Sequence, residues 1–280
     1  MERIKEALER ARRERAGKGT GAEGEGVART EARAADAGIA EDGDGERITY
    51  TQTRTAPMDP TVARRNRLVT ATDNREAIAA YKILRTQVLQ RMRSEGWNAL
   101  AVTSPGEGEG KTLTAVNLAL SIAQEVNHTV LLVDMDLRRP SVHRFFGMEP
   151  ERGINDHLVH DVPLPEILFN PGAERLVVLP GRDPILNSSE VLSSPKMVRL
   201  VEELKHRYPS RIVVFDLPPV LSADDAMAFS PYIDCALLVI EDGATTRDAV
   251  THAMEYLDAT RVLGTVLNKA ERSVQQAYAY

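Results

Sequence analysis

Residues 103–112 read TSPGEGEGKT, and they lie between the apolar run at 100–102 and the helix-like run LTAVNLALSIA at 113–123. A glycine-rich turn between a strand and a helix allows positive φ angles and brings backbone N–H groups close to oxyanions. The lysine that follows supplies a positive charge for the β and γ phosphates, and the next hydroxyl suits Mg²⁺. This stretch therefore predicts a phosphate-binding loop that takes ATP.

The predicted nucleotide-binding residues of this loop share one short segment. They are Ser104, Gly106, Gly108, Glu109, Gly110, Lys111 and Thr112. The loop departs from the strict G-x-x-x-x-G-K-[ST] pattern, because Pro105 stands where the first glycine is expected. The placement of Gly-Lys-Thr between its strand and helix still favours a phosphate loop over a simple strand-to-helix turn.

The composition permits one sizeable α/β domain with tails. The chain has 280 residues, of which 42% are hydrophobic and 27% charged, and its net charge is −6. There is no overall basic field to attract nucleic acid, so we expect no nucleic-acid partner. The single cysteine, Cys235, lies in the apolar run CALLVI, which excludes a disulfide framework or a cysteine metal cluster within the chain.

The sequence contains no apolar stretch of roughly 18–20 residues, the length that a membrane-spanning helix requires. The N-terminal stretch MERIKEALERARRERAGKG lacks the apolar centre of a secretion signal. We therefore expect a cytoplasmic protein without a membrane span, which a partner recruits to the inner membrane.

Three regions are predicted along the chain. Residues 1–71 are expected to be mostly disordered with a short amphipathic helix, because they contain too few large apolar side chains to offset the entropy of ordering. Order is expected to begin near Thr72, where a long helical pattern starts, and to continue to residue 271 as a P-loop domain. Residues 272–280 are expected to form a flexible tail.

Apolar runs of strand length alternate with helical patterns after residue 72. The runs are ALAVT, TVLLVD, RLVVLP, RIVVFD, CALLVI and VLGTVLN, which begin near residues 99, 129, 175, 211, 235 and 262. Continuous Val, Ile and Leu runs indicate strands that are covered on both faces. We predict an α/β fold with a doubly wound, mainly parallel sheet of about six to eight strands, whose ligand lies beyond the carboxyl ends of the strands.

Two of these runs deliver carboxylates to that edge. TVLLVD ends at Asp134 and is followed by Asp136, and RIVVFD ends at Asp216. A single acidic residue often ends a strand by chance, but three of them beside a Gly-Lys-Thr loop favour a functional site. Phosphoryl transfer needs a metal ion, a carboxylate to hold it and a base for the attacking hydroxyl. Asp216 is the metal-side candidate, and the other two divide the metal and base roles between them.

The run LLVDMDLRRP resembles the second Walker-type motif, hydrophobic-D-x-D-x-R, of the bacterial protein-tyrosine kinases of polysaccharide synthesis and export. The stretches SPGEGEGKT, VVFDLPPVLSADDA, NSSEVLSSPKM and GTVLNK also resemble that family in order and spacing, over roughly residues 72–270. The sequence looks most similar to the stand-alone autokinases encoded with exosortase-associated exopolysaccharide systems. Those kinases belong to the deviant P-loop ATPases.

The resemblance implies a protein-tyrosine kinase that uses ATP and Mg²⁺. By this resemblance Lys111 would bind phosphate, and Thr112 and Asp216 would serve Mg²⁺. Asp136 would assist at the metal, and Asp134 would accept the proton from an incoming tyrosine hydroxyl.

The resemblance also implies roles for residues outside the loop and the acids. Arg138 and Arg139 follow the acidic motif and would neutralise the transferring phosphate or bind a carboxylate of a neighbour, and Arg138 is favoured because it occupies the arginine position of the motif. Asn268 would lie near the adenine, with a turn residue at a strand end as the structural alternative. The expected phosphoacceptors are Tyr278 and Tyr280, which a neighbouring subunit of a homo-oligomer would phosphorylate. A membrane-bound polysaccharide co-polymerase would be the activating partner.

The sequence departs from the family at two places. The oligomerisation helix of the family typically reads E-x-x-R-x-x-R, whereas the register that keeps Arg85 here has Lys82 and Ala79 in the other positions. Glu76 lies one turn earlier on the same helix face and would substitute for the glutamate that the pattern has at position 79. The second departure is the tail, which has two tyrosines instead of a cluster.

Two other classes of protein stay open. A partitioning or division-site ATPase of the ParA/MinD type has the same fold, but its loop carries a signature lysine at the place where this chain has Gly106. The second alternative is a non-catalytic ATP-binding scaffold of a polysaccharide export complex. Phosphotyrosine on the ATP-treated protein would separate a kinase from both.

Overall fold

An eight-stranded sheet lies at the centre of the residues that the structure describes. The computed structural model describes residues 53–208, 210–257 and 260–270. In chain order the strands are β1 (Arg54–Thr55), β2 (Ala99–Thr103), β3 (Thr129–Asp134), β4 (Phe169–Asn170), β5 (Leu176–Leu179), β6 (Arg211–Asp216), β7 (Cys235–Glu241) and β8 (Arg261–Asn268). Across the sheet the order is β1-β4-β5-β3-β6-β2-β7-β8, and every neighbouring pair is parallel except β4 with β5.

Helices connect the strands. In the described residues they are α1 (Pro60–Arg65), α2 (Arg75–Glu95), α3 (Lys111–Ile122), α4 (Val142–Phe145), α5 (Ile154–His160), α6 (Ser188–Leu192), α7 (Pro195–His206), α8 (Asp225–Phe229) and α9 (Arg247–Tyr256). None of the helices in this part of the chain is both long enough and apolar enough to cross a membrane.

Alternate residues of the central strands face opposite hydrophobic layers. In β3, Leu131 and Val133 pack in the layer that contains the buried side chains of α7. Val130 and Leu132 pack in the other layer, with buried side chains of α2 and α3. Because both faces are covered, the strand is apolar at every position from Val130 to Val133. The prediction of a doubly wound, mainly parallel sheet is therefore confirmed.

The six strands expected from apolar runs all form, and they are the six longest in the sheet. The sequence did not indicate β1 and β4, which contain two residues each. A segment of two residues has no periodicity and too little apolar content to be recognised. Strand β4 forms against the edge of β5, and β1 in turn pairs with β4.

Ordered structure begins upstream of the predicted boundary at residue 72. Helix α1 starts after Asp59, whose side chain accepts a hydrogen bond from the Thr61 backbone N–H at 2.7 Å. Leu68 is fully buried beside it, and the Asn66 side chain donates to two backbone carbonyls of the α4 region. This segment orders because tertiary contacts compensate for its poor apolar content.

The other terminal predictions lie outside the described residues. These are the short amphipathic helix and the disorder predicted within residues 1–52, and the flexible tail predicted at 272–280. The proposed division into residues 1–71, 72–271 and 272–280 therefore stays a prediction in those parts.

The strand order brings the carboxyl ends of β3, β6 and β2 side by side. Asp134 at the end of β3 is in register with Asp216 at the end of β6. Asp216 is in turn in register with Val102 of β2, the strand that leads into the glycine-rich loop. Residues from three distant parts of the sequence thus meet at one edge of the sheet, where ligands of such folds bind.

Leu131→Ala tests the central packing of this sheet. Leu131 is fully buried in β3, so its truncation should leave a cavity and lower the free energy of unfolding by about 2–5 kcal/mol. Leu186→Ala is the matched control, because Leu186 is 96% exposed, and it should change stability by less than about 0.5 kcal/mol. Urea denaturation followed by circular dichroism measures both. Equal effects of the two substitutions would contradict the assignment of the core.

Candidate active site

The glycine-rich loop forms a tight cradle before α3. Gly108 and Gly110 adopt left-handed φ angles of 79° and 94°. A Cβ at Gly110 would lie 2.0 Å from the side-chain nitrogen of Asn268, so both the backbone conformation and the space require glycine there. The Asn268 amide donates to the backbone carbonyl of Glu109 at 2.8 Å. Asn268 therefore braces the loop from the end of β8.

The loop lysine lies among the carboxylates at the strand ends. Lys111 Nζ is 2.9 Å from Asp136 Oδ2 and 3.5 Å from Asp216 Oδ1. The Thr112 hydroxyl donates to Asp216 Oδ2 at 2.8 Å. The structure thus brings these four predicted site residues into direct contact.

Asp134 completes the acidic group from the end of β3. Its side chain is fully buried, and its Oδ2 accepts hydrogen bonds from the backbone N–H groups of Ser141 and Val142 at 2.8 and 2.9 Å. Its Oδ1 has no hydrogen-bond partner. Burial, together with the charge of Asp216, raises the pKa of Asp134 to about 7. This carboxyl group therefore titrates near neutral pH in the nucleotide-free protein.

Lys111 compensates the negative charge of the neighbouring carboxylates only in part. Burial also raises the pKa of Asp216, although Lys111 and the Thr112 hydroxyl oppose that shift. Burial alone would lower the pKa of Lys111, but the charges of Asp216 and Asp136 outweigh it and the pKa rises. Lys111 therefore stays protonated, while the buried carboxylates are incompletely compensated.

The incomplete compensation fits a site for Mg²⁺ and phosphate. Oδ1 of Asp134 and Oδ1 of Asp216 are buried oxygens without a hydrogen-bond partner. Oxygen ligands are the ones that Mg²⁺ prefers, and it binds through one or two carboxylates together with substrate phosphates and water. Among the described residues no group of three or more His, Cys, Asp or Glu forms a complete metal cage. The residues present therefore fit a metal that arrives with a nucleotide.

Two predicted loop residues have partners inside the protein. The Ser104 hydroxyl donates to the carbonyl of Gly106 at 2.6 Å. The Glu109 carboxylate accepts from the Gly106 N–H at 3.1 Å and from the Thr245 hydroxyl at 2.6 Å. Both side chains therefore shape the loop. Thr245 was absent from the sequence-based site, because no local pattern connects it to a loop far away in the chain.

Arg138 is paired with acidic side chains outside the glycine-rich loop. Its Nε lies 2.7 Å from Asp225 Oδ2, and its Nη2 lies 3.2 Å from Asp225 Oδ1. The Ser188 hydroxyl bonds both groups. The following Arg139 pairs with Glu107 of the loop at 2.6 Å on the exposed surface. The arginine that reaches the loop is therefore Arg139, whereas the sequence analysis favoured Arg138 of the two.

Helix α2 carries Arg85, the residue that matches the last arginine of the E-x-x-R-x-x-R oligomerisation pattern. Its guanidinium group donates to the carbonyl of Ser121, near the end of α3, at 3.0 Å and pairs with Glu125, just beyond that helix, at 2.9 Å. Lys82 is exposed on the same helix. Arg85 therefore has a structural role within one subunit. The predicted phosphoacceptors, Tyr278 and Tyr280, lie outside the described residues.

Comparison with known proteins shows the family to which the chain belongs. The family described as the CobQ/CobB/MinD/ParA nucleotide binding domain matches residues 100–278. The tyrosine-protein kinase YwqD of Bacillus subtilis is 32% identical over 202 residues, which are 71% of this chain and 84% of that protein. The tyrosine-protein kinase Etk of Escherichia coli K12 is 30% identical over 206 residues, which are 73% of this chain but 28% of that protein.

A solved structure agrees with these matches. The kinase domain of Escherichia coli ETK superposes with a TM-score of 0.68 at 28% identity, and the match covers 81% of this chain and 92% of that domain. The chain belongs to this nucleotide-binding family and, within it, to the bacterial protein-tyrosine kinases.

Gly110→Ala tests the cradle. The alanine would meet Asn268 and adopt a left-handed φ, which costs about 1–3 kcal/mol, so ATP affinity should fall roughly 5- to 150-fold. Gly96→Ala is the matched control, because Gly96 is also left-handed but lies at the end of α2 with open space around it. Calorimetric titration with ATP measures the affinities. Wild-type affinity in the Gly110 variant would contradict the cradle.

Asp134→Asn tests the buried carboxyl group in the nucleotide-free protein. Because burial raises the pKa of Asp134 in the folded protein from its ordinary value of 3.8 to about 7, the contribution of this carboxyl group to folding stability is complete at low pH. That contribution is lost as the pH rises through about 7. The asparagine does not titrate, so the variant should gain on the wild type by a few kcal/mol, as an order of magnitude, between about pH 5 and pH 8. Urea unfolding at both pH values measures the gain. A difference that is independent of pH would contradict the raised pKa.

Proposed function

We propose that this chain is an ATP-dependent protein-tyrosine autokinase that regulates the synthesis and export of an exopolysaccharide. It passes the γ-phosphoryl group of ATP to tyrosines in the tail of a neighbouring subunit. The observation that carries the proposal is the cluster of buried carboxylates around the phosphate-loop lysine, in which two buried carboxylate oxygens accept no hydrogen bond. The membership in the bacterial tyrosine kinases supports the choice of acceptor.

The glycine-rich loop and Lys111 hold the phosphates of ATP in this proposal. Backbone N–H groups of residues 107–112 would face the phosphates, and the ammonium group would neutralise charge on the β and γ oxygens. Mg²⁺, when bound, would supply positive charge that offsets the negative charge developing on the transferring phosphoryl group. Thr112 and Asp216 would hold the metal ion, with Asp136 assisting. Asn268, at the end of β8, would lie near the adenine.

Asp134 is the proposed base for the tyrosine hydroxyl. A raised pKa near neutral pH suits a group that takes a proton at the pH of the cell. Hydrogen bonds from two backbone N–H groups fix its Oδ2, which leaves Oδ1 to accept the proton. A Cβ at Gly181 would lie only 3.4 Å from Oδ2 of Asp134, so the backbone of Gly181 packs close to this carboxylate.

The proposed acceptors are Tyr278 and Tyr280 of another subunit. A terminal segment can enter a neighbour's site with little strain. Phosphate groups on the tail would add negative charge where subunits meet and loosen the homo-oligomer. We propose a cytoplasmic location, with recruitment to the inner membrane and activation by a membrane-bound polysaccharide co-polymerase.

Phosphopeptide mapping after incubation with ATP and Mg²⁺ tests the kinase. Lys111→Ala should reduce tyrosine phosphorylation by on the order of 10²-fold or more, because it removes the charge that stabilises the transferring phosphate. The double substitution of Tyr278 and Tyr280 by Phe should remove most of the label. Tyr256→Phe is the matched control, because Tyr256 is an exposed tyrosine of α9, and it should keep the label.

The outcomes separate the alternatives. Label that persists without the two tail tyrosines but disappears with Lys111→Ala would keep the kinase and relocate its target. ATP hydrolysis without any phosphotyrosine, also in the presence of the membrane partner, would favour a switch ATPase and refute the proposal.

A further inference from the structure

We propose that Asp225 and Ser188 are positioning residues that hold Arg138 in one orientation. Through Arg138 they fix the loop that carries Asp136 beside the phosphate-loop lysine. This inference rests on the proposed phosphotransfer, because it explains how one of the site carboxylates is held. Neither residue belongs to a nucleotide-binding motif.

The Asp225 carboxylate is fully buried and is bound by two side chains. Arg138 donates to both of its oxygens through Nε and Nη2, in the two-pronged geometry that a planar guanidinium group favours. The Ser188 hydroxyl lies 2.9 Å from both oxygens and 2.9 Å from Arg138 Nε. An unpaired buried carboxylate is strongly unfavourable, so Asp225 keeps Arg138 in this position.

The contacts among Asp225, Ser188 and Arg138 form what we call the clamp. The clamp is connected through Arg138 to the loop after β3 that carries Asp136. Arg138 lies two residues beyond Asp136, so its position restricts that carboxylate. The carbonyl of Leu137 accepts a hydrogen bond from the N–H of Ile185 at 2.8 Å. The loop is therefore attached through a side chain and through the backbone to the same segment that carries Ser188.

The clamp also connects to the glycine-rich loop. Asp225 begins α8, in the connection that follows Asp216. The backbone of that connection is bonded to the start of the loop: the N–H of Val220 donates to the carbonyl of Ser104 at 2.8 Å, and the N–H of Leu221 donates to that of Pro105 at 3.2 Å. The Asp225–Arg138 pair thus closes a ring of contacts that begins and ends at the phosphate-binding loop.

A ring of this kind affects the rate of transfer more than the binding of ATP. Phosphoryl transfer depends on positioning, and a small displacement of one group can cost about 10²-fold in rate. The loop amides and Lys111 hold ATP without the clamp. Loss of Asp225 should therefore lower kcat while KM for ATP changes little.

Asp225→Asn is the direct test, with kinetics of tyrosine phosphorylation as the measurement. We expect kcat to fall about 10- to 100-fold and KM for ATP to change less than about threefold. Asp224→Asn is the matched control, because the neighbouring Asp224 is mostly exposed and its contact with Arg138 is long, at 3.4 Å. That variant should keep wild-type kinetics. Wild-type kcat in Asp225→Asn would overturn the inference.

Ser188→Ala is a milder second variant that serves if Asp225→Asn fails to fold, which thermal melting detects. It keeps the Asp225–Arg138 pair and removes one hydroxyl, so kcat should fall about 3- to 10-fold. Ser188→Thr retains the hydroxyl and should restore most of the rate. Equal rates for the Ala and Thr variants and the wild type would contradict a role for the hydroxyl.

A double-mutant cycle decides whether Asp225 acts through Arg138. Arg138→Gln and the double variant with Asp225→Asn should have similar kcat values, because removal of either partner already opens the clamp. Additive losses would mean that Asp225 acts independently, and would overturn the inference.

Binding measurements separate this inference from the proposed function. If the wild-type protein transfers no phosphate to tyrosine, the proposed function fails, but the clamp is still testable with ADP. Mg²⁺ should strengthen ADP binding in the wild type and in Asp224→Asn, and this gain should be about tenfold smaller in Asp225→Asn. Binding of ADP without Mg²⁺ should be the same in all three. A full Mg²⁺ gain in Asp225→Asn would overturn the clamp.

Discussion

The site depends on one electrostatic constraint, the close packing of three carboxylates around a single ammonium group. Asp134 and Asp216 are fully buried at the ends of adjacent strands, and Asp136 lies directly at Lys111. The protein compensates this excess of negative charge only in part, through backbone N–H groups at Asp134 and a hydroxyl at Asp216. Groups left under-compensated in this way are typical of functional sites. Here they form a place that a cation and a phosphate complete together.

The surrounding structure keeps that unfavourable arrangement in place. The glycine-rich loop is braced on one side by Asn268 and by the contact between Glu109 and Thr245. On the other side, the connection after β6 is bonded to the start of the loop, and the Asp225–Arg138 pair attaches the acidic loop after β3. The hydrophobic layers on both faces of the sheet contribute the folding free energy that offsets the unfavourable packing of these charges.

Membership in the bacterial tyrosine kinases does not make every family feature transferable. Arg85 keeps its place in the oligomerisation pattern of α2, but its guanidinium group is bonded to the end of α3 in the same chain. Arg138 keeps the arginine position of the acidic motif and is bonded to Asp225. Both side chains therefore have partners within the subunit, and their position in a motif alone does not assign them to catalysis or assembly.

The sequence by itself determined the fold class, the phosphate-binding loop and the three acids, because each depends on a local pattern. Continuous apolar runs specify covered parallel strands, and Gly-Lys-Thr after such a run specifies the loop. Only the tertiary structure revealed the two-residue strands β1 and β4, the ordered segment before residue 72 and the partners Thr245, Ser188 and Asp225. These features depend on contacts between residues far apart in the chain, for which no local spacing exists. Tertiary packing also decided the raised pKa of Asp134, since burial and a neighbouring charge on another strand cause it.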